Sequence, residues 1–167
     1  MIVTVASSAA PRVTTLVCDW DMPEGSENTR SILVRGWCRF ERALSSISKH
    51  KWCYLHLSQL PEGAEGMPWW GFDGKGIAGT CSKGARRPAP EAPDAFEKAM
   101  LDGMRSGEIR FTNGKDATGV CIPQYKEGFL RLMGTAKKVV SMELKWGPAE
   151  AETLAAAFAY AAQHQGG

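Results

Sequence analysis

Along the chain, the apolar residues fall into short runs, and each run has its own period. The opening "MIVTVASSAA" reads as a strand or an irregular start. "VTTLVCDW", Val13 to Trp20, is β-branched and apolar and predicts a strand. The stretch "DMPEGSENTRS" is rich in turn residues and predicts a loop. Trp37, Phe40, Leu44 and Ile47 then recur at the spacing of one helix face. "KWCYLHL", Lys51 to Leu57, is nearly all apolar, as a strand buried on both faces would be. Strand, helix and strand in so short a span predict a right-handed βαβ unit. The apolar helix face would then pack on a sheet made by residues near 13–18 and 52–57.

From Pro61 to Pro93 no period survives, and the stretch holds five of the nine prolines. It predicts a long loop without regular structure over residues 62–90, of the kind that is functional or disordered. "APDAFEKAMLDGM" predicts a helix, with Asp94 near its start and Phe96, Met100 and Met104 along one side. "IRFTNG" reads as a short strand ending in the turn pair Asn113-Gly114. "PQYKEGFLRLM" predicts a helix with Pro123 in its first turn. In "VVSMELKW", Val140, Met142, Leu144 and Trp146 alternate with polar residues, the pattern of a half-buried strand. "PAEAETLAAAFAYAAQH" predicts a closing Ala-rich helix. The expected fold class is therefore α/β, a small central sheet around one βαβ unit with a helical C-terminal half. Within one domain, residues 1–60 would form the βαβ core, 61–93 the Gly/Pro-rich loop and 94–167 the mainly helical part.

Composition narrows the function classes. The 167 residues suffice for one domain with a genuine core. Hydrophobic residues at 44% and charged residues at 23% are ordinary for a globular chain, so disorder is not expected overall. A net charge of +2 is too mild to argue for nucleic acid. No apolar run approaches the roughly 20 residues of a membrane helix, and no membrane insertion is expected. The N-terminus lacks the basic region of a signal peptide. Five cysteines without a CxxC pair suggest reduced thiols and an intracellular, reducing compartment, the cytoplasm foremost. Cys53 and His56, three apart in a predicted strand, would face opposite ways, so no metal is expected.

Two stretches carry candidate chemistry. Gly74, Gly76 and Gly79 spell G-x-G-x-x-G, but without the strand before and helix after that dinucleotide binding requires. The same loop combines Trp69, Trp70 and Phe72 with Lys75, Lys83, Arg86 and Arg87. Aromatics with bases serve single-stranded nucleic acid, protein hot spots, or simple anchoring of the loop, and all three readings stay open. The second stretch is "RGWCRFERALSS", Arg35 to Ser46. Glu41 lies four residues after Trp37, so on a helix its carboxylate would sit beside the indole. Arg35 and Arg39 are within reach as partners, and Arg42 points elsewhere. Glu41 is then either half of an edge salt bridge or a carboxylate at the crevice beyond the strand ends, where open α/β sheets bind ligands.

This stretch resembles the RGWxxQERLLS motif of fungal heterokaryon-incompatibility (HET) domains. It is also similar to the WCxxEL motif of TIR domains, with the same Trp-to-Glu spacing. Phe40 stands at the HET glutamine and Arg42 at the TIR leucine. The resemblance spans about residues 13 to 57, and the later pattern is similar to RGW-motif proteins of protists. It implies a HET/TIR-like fold. It also implies two functions. One is a protein-interaction or scaffold module of signalling or innate-immune assemblies, with a protein partner and no cofactor. The other is an NAD nucleoside hydrolase in which NAD is the substrate, Glu41 steadies an oxocarbenium-like ribose and Trp37 walls the pocket. Both families build the facing wall from two earlier strands, and twelve residues precede Val13, which favours the interaction module. On either reading the binding candidates are Trp37, Arg35, Arg39, Trp69, Trp70, Arg86 and Arg87.

Overall fold

The structure is a computed structural model, and it describes residues 2–6, 13–17, 24–25, 30–49, 53–69, 76–82, 88–135 and 146–164. The chain divides into two compact units. One comprises residues 1–32 and 49–85, and the other residues 33–48 and 86–167.

In the first unit, β1 (Ile2–Ala6) and β2 (Val13–Val17) pair antiparallel, with Ile2 opposite Val17 and Ala6 opposite Val13. β3 (Tyr54–His56) runs parallel to β2, with Thr15 opposite Tyr54. Within β3, Leu55 is fully buried against Ala78 and Cys81 of a short helix, α2 (Ile77–Ser82). Leu57, Leu60 and Ile77 close around this small core. Its entry is pinned by the chain just upstream. The Ile77 N–H donates to the Pro68 carbonyl at 3.0 Å and the Ala78 N–H to that of Trp69 at 3.1 Å. Residues 62–90 therefore do contain regular structure, contrary to the loop expected there. The G-x-G-x-x-G stretch does lead into a helix, but one of only six residues.

The second unit is helical. α1 (Gly36–Ser48), α3 (Pro93–Ser106), α4 (Ile122–Thr135) and α5 (Pro148–His164) enclose one core. α4 lies in its middle and packs on α1, α3 and α5. Phe96 of α3 stacks on Tyr125 of α4 at 4.0 Å between centroids, and Phe129 meets Tyr160 of α5 edge-on at 6.0 Å. α1 and α4 approach closely because Gly128 has no side chain, and a Cβ there would come within 2.8 Å of Leu44. α3 begins at Pro93, where a missing N–H costs nothing, with Asp94 in its first turn. It ends at Gly107, whose φ of 80° is left-handed and needs glycine. The chain then returns to α1. The Arg110 N–H donates to the Val34 carbonyl at 2.8 Å and the Gly36 N–H to the Arg110 carbonyl at 2.9 Å. The strand expected in "IRFTNG" is reduced to this single bridge between Arg35 and Arg110. The Asn113-Gly114 turn forms, with the Asn113 Oδ1 accepting the Lys115 N–H at 3.2 Å.

The helix expected at Pro123 starts earlier. A wide π turn, Ala117–Cys121, feeds straight into α4. Proline cannot donate its N–H to the ladder, and the opened turn just upstream accommodates it.

The expected α/β fold, a small HET/TIR-like central sheet around one βαβ unit, is overturned, because the protein is mostly helical. The strands are short, of five, five and three residues. The helix that should cross over between β2 and β3 belongs instead to the helical unit. Phe40, Leu44 and Ile47 pack into the core formed with α3, α4 and α5, and Trp37 is left 37% exposed. The physical reason is that the apolar face of α1 meets that of α4, whose Tyr125 and Phe129 are buried in the same core. The alternating stretch 139–145, together with Trp70, Phe72, Gly74, Lys75, Lys83, Arg86 and Arg87, lies outside the described residues.

Candidate functional site on helix α1

α1 presents three groups of side chains at successive angles around its axis. At one edge is Trp37. Its ring meets Phe40 edge-on at 6.0 Å and Phe111 at 6.5 Å, and its Nε1 donates to the Asp116 carboxylate at 3.0 Å. Asp116 lies at the entrance to the π turn, so the turn presents the acceptor. An exposed indole held at three points is an ordered surface feature.

Next around the helix is Glu41. It is half-buried, and that burial pushes its carboxyl above the ordinary carboxylate range. Neither expected arginine is its partner. Arg39 instead binds Glu91 through Nη2, at 3.2 Å to Oε2, while the Arg35 backbone is tied to Arg110. Among the described residues, nothing hydrogen-bonds or ion-pairs with the Glu41 carboxylate. Its charge is felt by two thiols. Cys121 is pushed up to about 11, mainly by burial and then by Asp116 and Glu41, and Cys38 is raised by burial. For both thiols, burial disfavours the thiolate. The four described cysteines, Cys38, Cys53, Cys81 and Cys121, are buried and not in disulfides. Among the described residues, no group of three His, Cys, Asp or Glu is gathered to hold a metal ion.

The third group is Arg39 and Arg42. At roughly 100° per residue, they project from the side of α1 turned away from Trp37. With Ala43 and Ser46 they line a cavity of about 90 Å³, closed by Pro88, Ala89, Glu91 and Tyr125. The Tyr125 hydroxyl donates to the Glu91 carbonyl at 2.9 Å and so fixes the far wall. The Nε atoms of both arginines are buried without a hydrogen-bond partner. A wider, open hollow of about 670 Å³ also touches Arg39, together with Asp102 and Glu108. Its Asp102 is already taken by Lys98 at 2.7 Å and Arg105 at 3.1 Å, and the Lys98 bond holds its carboxyl low.

The structure thus gathers Trp37, Arg35, Arg39 and Glu41 on or beside one helix, as the spacing requires, but it does not join them into one site. Glu41 lines neither of these two cavities. Trp69 lies in the other unit, is 37% exposed and uses its carbonyl to hold α2. Sequence reasoning missed Arg42, Glu91 and Asp116. The three-residue spacing of Arg39 and Arg42 would have flagged the first, since it puts them on one side of a helix. Nothing local marks the other two, which reach α1 from across the core. Comparison with known proteins finds no matching family model, no matching curated protein and no matching solved structure.

Proposed function

We propose that the chain is a protein-interaction module that binds through the Trp37 surface. The observation that carries this reading is an exposed tryptophan whose orientation is fixed by Phe40, Phe111 and Asp116. Tryptophan is over-represented among interface hot spots, and an already ordered ring loses little entropy on binding. The partner is a protein presenting an apolar pocket for the indole edge. No described helix is long and apolar enough to cross a membrane. The test is a photo-crosslinker placed at exposed Thr112, next to the Phe111 ring that meets Trp37, used in extract of the source cells. A discrete protein adduct that excess wild-type chain abolishes, and that a folded Trp37→Ala chain does not, supports the reading. Equal competition by both chains overturns it.

A second reading rests on Glu41. A half-buried carboxylate that hydrogen-bonds or ion-pairs with no described residue, and whose pKa is raised by burial, is the type that steadies a developing ribosyl cation, so NAD nucleoside hydrolysis remains a proposal. It is second because the chain is mostly helical and α1 belongs to the helical unit, not to the unit that holds the strands. Nicotinamide release from NAD by purified protein, lost in Glu41→Gln, would place it first. No release at high protein concentration removes it.

A further inference from the structure

The surface around Trp37 carries negative charge that no described residue answers. Asp116 uses Oδ2 to accept the indole N–H at 3.0 Å, and no described cation pairs with its carboxylate. Its neighbour in sequence, Lys115, is exposed and forms no ion pair among the described residues. Glu41 lies four residues after Trp37, on the same side of α1, and pairs with no described residue. Neither carboxylate is sealed in, since no oxygen of either is both buried and without a partner. Their free oxygens are therefore within reach of solvent and of a guest. Both carboxylates raise the thiol of Cys121, so the two charges lie near one point. Like charges held close together repel, and a cation brought beside them relieves that repulsion.

We infer that the protein partner carries an arginine beside its apolar pocket, and that this guanidinium meets Asp116 and Glu41 at the rim of the indole. The inference rests on the reading of Trp37 as an interaction surface and names the chemistry of what binds there. Arginine is selected by shape as well as charge. Its planar guanidinium stacks on an aromatic ring while its N–H groups donate sideways to carboxylates. Asp116 is bonded to the indole nitrogen, so a guanidinium laid against the ring is within reach of its free oxygen. A lysine ammonium brings charge but no plane to stack. Phe111, which meets Trp37 edge-on at 6.5 Å, adds the apolar area that suits the rest of the pocket. An apolar centre with a charged rim is the ordinary anatomy of an interface, and the rim chiefly decides which partner is accepted. Trp37 then supplies the anchor, and the two carboxylates reject acidic partners.

The experiment titrates the intact chain with three capped tripeptides and follows the Trp37 indole N–H signal by NMR. The probes are acetyl-Leu-Arg-Leu-amide and its citrulline and glutamate analogues, and Trp37→Phe assigns the signal. Citrulline has nearly the shape of arginine and no charge. Saturable shifts are expected, with arginine at least about threefold tighter than citrulline and glutamate the weakest. The preference should shrink between about 0.01 M and about 1 M salt, because exposed charge pairs are screened. Asp116→Asn keeps an oxygen for the indole N–H and removes the charge, so the arginine and citrulline affinities should converge. Glu41→Gln should reduce the preference as well, and it keeps the test sharp if the Asp116 variant folds poorly. Equal affinity of the wild type for arginine and citrulline, tightest binding of glutamate, or a preference unchanged in both variants would each overturn the inference and leave the Trp37 reading standing. No saturable shift with any of the three would remove the surface as a binding site, and both readings with it.

Discussion

The indole Nε1 of Trp37 donates to the carboxylate of Asp116, 3.0 Å away across 79 residues of chain. This bond ties the first turn of α1 to the entrance of the π turn that opens α4. Removing its acceptor should therefore act at both ends. Asp116→Ala should cost about 0.5–1.5 kcal/mol, the usual net worth of one hydrogen bond in an exposed position. In a two-dimensional NMR spectrum, the Trp37 indole N–H signal should shift towards its solvent-exposed position and broaden. An unchanged indole signal would show that the bond is not formed in solution.

Gly36 opens α1, and the Phe111 ring covers it so closely that a Cβ would run into the ring. A helical glycine replaced by alanine ordinarily gains about 1 kcal/mol. Here the clash should reverse the sign, and Gly36→Ala should lose about 1–3 kcal/mol as an overpacked site. Gly119 provides the control. It lies in the π turn with open space where its Cβ would stand, so Gly119→Ala should be neutral or slightly stabilising. Paired urea titrations of the two variants decide this, and a loss at both positions would mean backbone effects dominate.

The helices were legible in the sequence because their signals are local. Phe96 and Met100 repeat at helical spacing and are both fully buried, and Pro93 and Pro148 stand at helix starts. What buries α1 was not legible. A period of 3.6 says which face of a helix is apolar, not which element covers it. Trp37, Phe40, Leu44 and Ile47 fit a sheet or a helix equally well. The element that covers it is α4, which lies close at Gly128, a residue 84 positions beyond Leu44 and unremarkable by itself. The same limit applied to the site. Glu41 was found from its distance to Trp37, but Glu91 took the arginine expected for it, and chain spacing cannot show competition from 50 residues away.

The stack of Phe96 on Tyr125 and the edge contact of Phe129 with Tyr160 lie at the centre of the helical unit. Phe129 is fully buried, so Phe129→Ala should cost about 3–5 kcal/mol. Leu44 is only partly buried against the same core, and Leu44→Ala should fall near the low end of such truncations, about 2 kcal/mol. Equilibrium denaturation of both variants tests the ranking. A larger loss at Leu44 than at Phe129 would mean that α1, and not α4, lies at the middle of this unit.

Glu41 gives the pH dependence. Burial is the largest influence on its carboxyl and raises it above the ordinary value of 4.5. The folded protein therefore holds this proton more tightly than the unfolded chain does. The stability so contributed is fully present below the unfolded value and is lost as pH rises through the raised native one. At neutral pH the ionised carboxylate is then a small liability, because it is charged and half-buried. Glu41→Gln is neutral at every pH and nearly the same shape. It should match wild type at pH 4 and melt at a higher temperature at pH 7, with the gap opening from about the ordinary carboxyl value upward. A salt bridge to Arg35 or Arg39 would give the opposite result, since removing a paired carboxylate lowers stability at neutral pH and not at acid pH. Thermal melts of both proteins from pH 4 to 8 separate the cases. A Gln variant less stable at pH 7 than wild type would show that an arginine holds Glu41 in solution.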